Sequence, residues 1–385
     1  MKIEHNIARL RHLMKMFRLN EGDLLELAGA GLKTPLQQKD LFSSEIKLSH
    51  LKRIDKIFSK GLHYYLDPKA PNESKDSSIF FRKESFTTDD LNNRAIAVVN
   101  QFEELKLSLE AIAKLSDLEY TRELKTITTD INPKSVAKEI RKHLYPNFST
   151  KRRDFLKALI HKLAEFNILV FEFVEHPSRK EKANIDGFFL KPNFIVLKRH
   201  QAFRREIFTL AHELGHYLLN KEEIEQLELS HISNKNLSKI ERWCNDFAFY
   251  FLAGNYSDGL DKLEVASSKN DYHFDTIKLI SQNTHLSELA LFTRMLLRNQ
   301  ISPKSYNNIK QDFEEQFRKR QEAIEKERQI LKERGIPQRG SVAKPINSPL
   351  FVSTIQTAFY EGIINEYEVS KRLKMKPEKI EQLIQ

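Results

Sequence analysis

The chain has 385 residues, enough for two or three units that each bury a core, and 40% of them are apolar. No run approaches the roughly 18 to 20 apolar residues that a membrane-spanning helix needs, and the first residues lack a signal-peptide core, so we expect a cytoplasmic protein without membrane contact. The single cysteine, Cys244, excludes an intrachain disulfide. The formal charge of +10 favours nucleic acid or an acidic partner, but Lys and Arg are spread along the chain, which is typical of solvated helix surfaces.

Residues 1–66 predict a small helical domain. Apolar residues recur at helical spacing in 7–17 and again in 48–57. Between them, the segment 20–23 has the composition of a helix cap and a turn, which is compatible with a degenerate helix-turn-helix. DNA contact through this domain is one interpretation, and a helical docking domain is the other.

Residues 67–197 show a linker composition, then helical spacing and then strand patterns. Residues 67–78 are rich in Pro and Ser and predict a linker to a second domain, 79–300. Helical spacing follows near 89–115, 135–144 and 151–166. Runs of β-branched and aromatic residues then predict strands at 168–175, 185–190 and 194–197. A short sheet should therefore precede the helix that follows.

The C-terminal part of the chain is predicted to be helical. Residues 301–348 contain a dense mixture of Glu, Lys and Arg at 312–334, which is typical of a solvated helix or spacer. Residues 349–385 predict a helical module with a few short helices. This module is either a second helix-turn-helix or a packing unit.

The segment 204–220 predicts a mostly buried helix with one polar stripe. The stripe contains Arg205, Glu206, Thr209, His212, Glu213 and His216. His212 and His216 lie one turn apart, so both can direct a ring nitrogen at one ion. Glu213 lies between them and is placed to take a proton from a metal-bound water. This spacing predicts a Zn²⁺ site with Glu213 as general base, which is the chemistry of a metallopeptidase.

The surroundings of this motif argue against a chance match. With 13 His and 53 acidic residues, random placement yields roughly 0.06 such motifs in a chain of this length. The exposed helices of this chain are rich in Lys and Glu, yet 206–220 contains no Lys or Arg. Gly215 inside the helix weakens helix propensity, which predicts that another backbone approaches closely at this point.

A catalytic zinc usually has three protein ligands, so the two histidines need a third donor. Glu241 in a second predicted helix, 238–253, is our candidate, because the small Cys244 and Ala248 on its face would allow a close approach. Ser238 and Glu241 also form a capping-box pattern, in which Glu241 would only bond the Ser238 amide. The residues alone leave both roles open. Other possible donors are Glu222, Glu223, Glu225 and His231.

The string 208–216, followed by Glu241-x-x-Cys244-Asn245-x-Phe247-Ala248, resembles the ImmA/IrrE family of zinc metallo-endopeptidases. The resemblance extends back through 79–82 and 168–197 and forward to about 300. It implies a zincin-like fold with His212, His216 and Glu241 as metal ligands and Glu213 as base. Cys244 stands where the family usually has Ala. The family's substrates are transcriptional repressors, often encoded on mobile elements, so the resemblance implies a helix-turn-helix regulator as substrate.

These observations together predict an α+β chain that is mostly helical. A zincin-like catalytic domain with a small β-sheet should be flanked by helical N- and C-terminal domains. We expect limited hydrolysis of a protein substrate, which the strand 194–197 would align by edge pairing. The oxyanion stabiliser has no firm candidate beyond Tyr217, Tyr250 and His231. The alternatives are a DNA-binding transcriptional regulator with a structural or vestigial zinc site, and a toxin-antitoxin component.

Overall fold

The computed structural model describes residues 2–17, 19–58, 60–71, 91–175, 181–199, 202–222, 238–334 and 344–380. The chain is a mostly helical α+β protein, as predicted. It forms two compact units, Met1–Leu118 with Glu175–Ile185, and Glu119–Val174 with Asp186–Gln385. The domain boundaries inferred from the sequence stay predictions, and most of the predicted linker lies outside the described residues.

The first unit is helical apart from one small sheet. Its helices are α1 (Ile7–Phe17), α2 (Glu21–Gly29), α3 (Gln38–Phe42), α4 (Leu48–Phe58), α5 (Leu62–Leu66) and α6 (Asn93–Leu115). Strands β1 (Lys2–Glu4) and β2 (Glu45–Lys47) pair antiparallel, with Ile3 opposite Ile46. The sequence did not predict these strands, because three residues with one apolar side chain carry no readable period.

The predicted cap between the first two helices is confirmed. The Asn20 side chain accepts a hydrogen bond from the Asp23 amide at 2.9 Å, and the Asp23 carboxylate accepts one from the Asn20 amide at 2.9 Å. This reciprocal pair satisfies two amides that the first turn of α2 leaves without an intrahelical partner. Helix α2 therefore begins where the sequence places it.

The second unit contains a three-stranded sheet surrounded by helices. Its strands are β3 (Leu169–Phe173), β4 (Gly187–Leu190) and β5 (Phe194–Lys198). Its α-helices are α7 (Pro133–Leu144), α8 (Arg152–Ala164), α9 (Phe203–Leu219), α10 (Lys239–Ala253), α11 (Tyr256–Asp261), α12 (Phe274–Asn283), α13 (Glu288–Leu297), α14 (Pro303–Glu333), α15 (Pro349–Tyr360) and α16 (Glu366–Leu373). Short 3₁₀ turns cover Ser268–His273 and Pro377–Lys379.

The strand order is β3-β5-β4, with β5 parallel to β3 and antiparallel to β4. Strand β5 is therefore hydrogen-bonded along both edges. The predicted alignment of an extended substrate along 194–197 by edge pairing is wrong, because this strand has no edge left to pair. The sequence could not show this, since strand order depends on contacts between distant segments.

Helices α9 and α10 pack against each other, and α9 also lies against β4 and β5. Most apolar residues of α9 recur at helical spacing and are buried in the core of the second unit, among them Ile207, Leu210, Leu214 and Leu218. Burying one such side chain stabilises the fold by about 1.5–3 kcal/mol. The polar stripe of α9 is thereby held in a fixed orientation within a packed interior.

An arginine caps the C-terminal end of each of these two helices. Arg122 donates to the carbonyl oxygens of Tyr217 and Leu218, and its guanidinium lies 3.9 Å from the centre of the Tyr217 ring. Arg141 donates to the carbonyl oxygens of Phe251 and Leu252. A cation at this position pairs with carbonyls that have no intrahelical donor and with the negative end of the helix dipole.

Helix α14 has 31 residues, and beyond Phe313 its side chains are largely exposed and charged, as predicted for a solvated helix. Within the described ranges, no helix combines the length and the apolar character that crossing a membrane requires.

A buried histidine in the second unit makes its stability depend on pH. The His285 imidazole is 2% exposed, and its ring centre lies 3.9 Å from that of Phe155 and 4.9 Å from that of Phe148. Burial first, and then the charges of Arg204 and Arg152, lower the pKa of His285 to about 4. An unfolded chain has a histidine pKa near 6.5, so between about pH 6.5 and pH 4 the unfolded state binds the extra proton.

Stability should therefore fall as the pH falls through this window. We expect the free energy of unfolding to drop by about 2 kcal/mol more in the wild type than in His285→Phe between pH 7.5 and pH 5. Phenylalanine keeps the ring stack and cannot be protonated. Urea unfolding followed by fluorescence of Trp243, the single tryptophan and a core residue of this unit, measures the difference. An equal drop in both proteins would contradict the prediction.

Candidate metal centre

Three buried side chains from α9 and α10 converge on one point. The Nε2 atoms of His212 and His216 are 3.1 Å apart. The Glu241 oxygens lie 3.1 Å from His212 Nε2 and 3.0 Å from His216 Nε2. Two ligand atoms bound tetrahedrally to one zinc ion at 2.0–2.1 Å are about 3.3 Å apart, so the donor atoms of the three side chains have the spacing of a shared ion.

The electrostatics of this donor set also fit a cation. Both Glu241 oxygens are buried and make no well-oriented hydrogen bond within the described part of the chain. Buried acceptor atoms at 3 Å from one another are costly unless positive charge lies between them. Two imidazoles and one carboxylate are the donors that a divalent transition metal prefers.

The sequence left two roles open for Glu241, a helix cap and a metal ligand. In the structure, its backbone amide and its carboxylate make separate contacts. The Glu241 amide donates to the Ser238 side chain at 3.1 Å, which caps α10. The Glu241 carboxylate lies against the imidazoles of His212 and His216. The cap needs only the backbone of Glu241, so it leaves the carboxylate available to the metal centre.

The competing donors do not join this cluster among the residues described. The Glu222 carboxylate accepts a hydrogen bond from the Lys191 amide at 2.8 Å, at the turn between β4 and β5. Glu223, Glu225 and His231 lie outside the described residues. The Tyr250 hydroxyl bonds Asp261 and Arg298, and the Tyr217 ring lies under the Arg122 guanidinium, so the oxyanion role of either tyrosine stays a prediction.

Glu213 is buried beside the ligands but is not one of the three converging side chains. One of its carboxylate oxygens, Oε2, is buried and has no hydrogen-bond partner among the described residues. Strand β4 approaches it through Gly187, where an added Cβ would lie 3.4 Å from Glu213 Cγ and 2.6 Å from Thr209 Cγ2. The glycine therefore leaves space for the Thr209 side chain, which lies one turn before Glu213 on the polar stripe.

The pKa values of the two carboxyl groups are shifted in opposite directions. Burial, with smaller effects of Glu241 and Asp186, raises the pKa of Glu213 to about 7 against the opposing effect of the two histidines. Burial would also raise the pKa of Glu241, but His212 and His216 outweigh it and lower that pKa. Glu241 is thereby held as an anion, and Glu213 can exchange a proton near neutral pH.

Helices α9 and α10 approach each other closely at Gly215. A Cβ on this glycine would lie 3.1 Å from the Cys244 sulfur and 3.2 Å from both its Cα and its Cβ. This contact confirms that Gly215 marks a close approach and that Cys244 is a small buried side chain. Because Gly215 lies between His212 and His216 in sequence, the contact sets the distance at which α10 presents Glu241.

Charged residues anchor the N-terminal end of the polar stripe. Arg205 pairs with Asp186, which precedes β4, at 2.5 Å. Glu206 is fully buried and pairs with Arg199, which follows β5, at 2.9 Å. The stripe on α9 thus runs from these two ion pairs to the three converging side chains, and the ion pairs hold its charged residues at the N-terminal end.

A helix carrying His-Glu-x-x-His and a carboxylate from a second packed helix together form a buried cluster able to hold a metal ion, an arrangement typical of metallopeptidases. Residues 162–253 match the family model of the IrrE N-terminal-like domain, a peptidase family. This span contains the sheet, both helices and all four predicted site residues. This match confirms the resemblance of the motifs to the ImmA/IrrE family. Neither a curated protein nor a solved structure matches the chain.

Proposed function

We propose that this protein is a zinc-dependent endopeptidase that hydrolyses a peptide bond in a protein substrate. The convergence of His212, His216 and Glu241 within 3.1 Å, with Glu213 buried beside them, carries this proposal. Among the described residues, two neutral imidazoles and one carboxylate would leave a divalent ion with a net positive charge and a fourth position for water. A structural zinc site would instead close all four positions with protein ligands.

Two groups would carry out the proposed hydrolysis, the bound ion and the Glu213 carboxylate. A zinc ion, when bound, supplies a Lewis acid that polarises the scissile carbonyl and lowers the pKa of water to about 7. Glu213 accepts the proton from the attacking water and returns it to the leaving amine. Burial raises the pKa of Glu213 to about 7 in the metal-free protein, and the positive charge of a bound ion would lower it again and keep Glu213 in the anionic form that accepts a proton.

The family resemblance supports a substrate class for this activity. We propose limited cleavage of a transcriptional repressor of the helix-turn-helix type, in the cytoplasm. The support is the likeness of the motifs around His212, Glu213 and Glu241 to a family with such substrates.

DNA binding through the first unit receives no support from the charge of α2. This helix occupies the second position of the predicted helix-turn-helix, and it contains Glu21, Asp23 and Glu26 but no Lys or Arg. Acidic side chains on that helix would repel the phosphates that supply most of the affinity for DNA. The peptidase therefore remains the function that the geometry supports best.

Metal analysis tests the proposal directly. We expect purified wild-type protein to contain about one zinc ion per chain and His212→Ala to contain only background metal, because two remaining donors hold zinc far more weakly. His143→Ala is the matched control, since His143 is an exposed histidine of α7, and it should keep its zinc. Thermal melting of all three proteins by Trp243 fluorescence shows whether each is folded. Equal zinc in wild type and His212→Ala would overturn the proposal.

A further inference from the structure

A fourth polar side chain contacts the cluster from outside. Asn245 lies on α10, one turn after Glu241, and its Oδ1 is 3.1 Å from His212 Nδ1. Nδ1 is the ring nitrogen that faces away from the point where the side chains of His212, His216 and Glu241 converge. An amide oxygen can only accept, so His212 must donate through Nδ1–H in this contact.

We infer that Asn245 is a positioning residue that selects the tautomer of His212. A neutral imidazole has one proton, so a hydrogen on Nδ1 leaves Nε2 with its lone pair. That lone pair is directed at the point where His216 Nε2 and Glu241 also converge. This inference rests on the zinc site proposed above and adds a residue that is not a ligand.

A comparison with His216 shows what the hydrogen bond from His212 to Asn245 contributes. His216 Nδ1 is buried and has no hydrogen-bond partner in the described part of the chain. Among these residues, only packing holds the Nδ1 side of the His216 ring, whereas a directed hydrogen bond also holds the Nδ1 side of the His212 ring. Loss of an outer hydrogen bond to a ligating histidine typically weakens metal binding by about 10- to 100-fold.

The geometry of the two helices explains how Asn245 reaches the outer ring nitrogen of His212. Helix α9 presents His212 and His216 one turn apart, and α10 presents Glu241 and Asn245 one turn apart. Cys244, between the two α10 residues, packs on the backbone of Gly215. The contact between α9 and α10 therefore places the Glu241 carboxylate against both imidazoles and the Asn245 oxygen behind that of His212.

Two substitutions at Asn245 separate positioning from packing. Asn245→Leu keeps the size of the side chain and removes the acceptor, and Asn245→Asp keeps an acceptor oxygen. Zinc affinity is measured in the full chain by competition with a chromophoric chelator. We expect Asn245→Leu to bind zinc about 10- to 100-fold more weakly and Asn245→Asp to bind at least as tightly as the wild type.

Nitrogen-15 NMR of the metal-free protein reads the tautomer itself. We expect His212 in the wild type and in Asn245→Asp to carry its proton on Nδ1, and Asn245→Leu to show a mixture of tautomers. Wild-type affinity together with an unchanged tautomer in Asn245→Leu would overturn the inference, as would an equal loss of affinity in both variants. If the wild type binds no zinc, the proposed function fails, and the tautomer comparison still decides the role of Asn245.

Discussion

Glu213→Gln should lower kcat/KM for peptide hydrolysis by about 10²- to 10⁴-fold while leaving the zinc content unchanged. Glutamine has the size of glutamate but cannot accept the proton of the attacking water. Zinc should stay, because the three converging donors are His212, His216 and Glu241. The assay uses a quenched fluorescent peptide that the wild type cleaves, chosen by scanning a peptide library, with metal analysis on the same samples.

Glu139→Gln is the control for this experiment. Glu139 lies on α7 with its side chain 62% exposed and pairs with Lys142, so its loss should change neither rate nor zinc content. A Glu213→Gln protein as active as the wild type would exclude Glu213 as the base. If that protein lost its zinc instead, Glu213 would be a ligand or a structural support.

Gly215→Ala should lower the free energy of unfolding by about 1–3 kcal/mol and weaken zinc binding. The new methyl group would meet the Cys244 backbone and side chain at 3.1–3.2 Å, closer than nearly all real contacts of a Cβ. The helices must separate to accommodate it, and this separation moves Glu241 away from His212 and His216. Urea unfolding followed by Trp243 fluorescence and chelator competition measure the two effects.

The same substitution at a second glycine gives the matched control. Gly259 lies in helix α11, and a Cβ there would meet nothing within 4 Å. Gly259→Ala should therefore be neutral or stabilising, by up to about 1 kcal/mol from helix propensity. A stabilising Gly215→Ala would mean that the α9–α10 contact does not set the ligand distance. Adding Cys244→Gly to Gly215→Ala should recover part of the loss, because it removes most of the clashing atoms.

The strongest local signals in the sequence were confirmed. The helix predicted from 204 to 220 is α9, and the helix predicted from 238 to 253 is α10. Asn20 caps α2 as its composition indicates, and the three predicted strands of the catalytic part are β3, β4 and β5. Each of these signals depends on neighbours within one or two turns of chain, where spacing and capping chemistry decide the structure.

Some contacts of the site were not predicted from the sequence. Asn245 follows Glu241 by four residues, the spacing of His212 and His216, so both lie on one helix face, but the contact of Asn245 with His212 joins two separate helices. Arg122 and Arg141 had no such spacing signal, because each caps a helix about 100 residues further along the chain. Nothing in the local sequence shows which carbonyl a distant arginine will reach.

By itself, the sequence determined which residues share a face of one helix. His212 and His216 lie on one face with Glu213 between them, and Glu241 lies at the start of a second helix. A turn of helix brings residues four apart onto one face whatever surrounds it. Only the tertiary structure decided that Glu241 reaches both imidazoles, that β5 is the central strand and that the pKa of Glu213 is raised. These properties depend on distances between segments far apart in the chain and on the exclusion of water, which exist only once the core has packed.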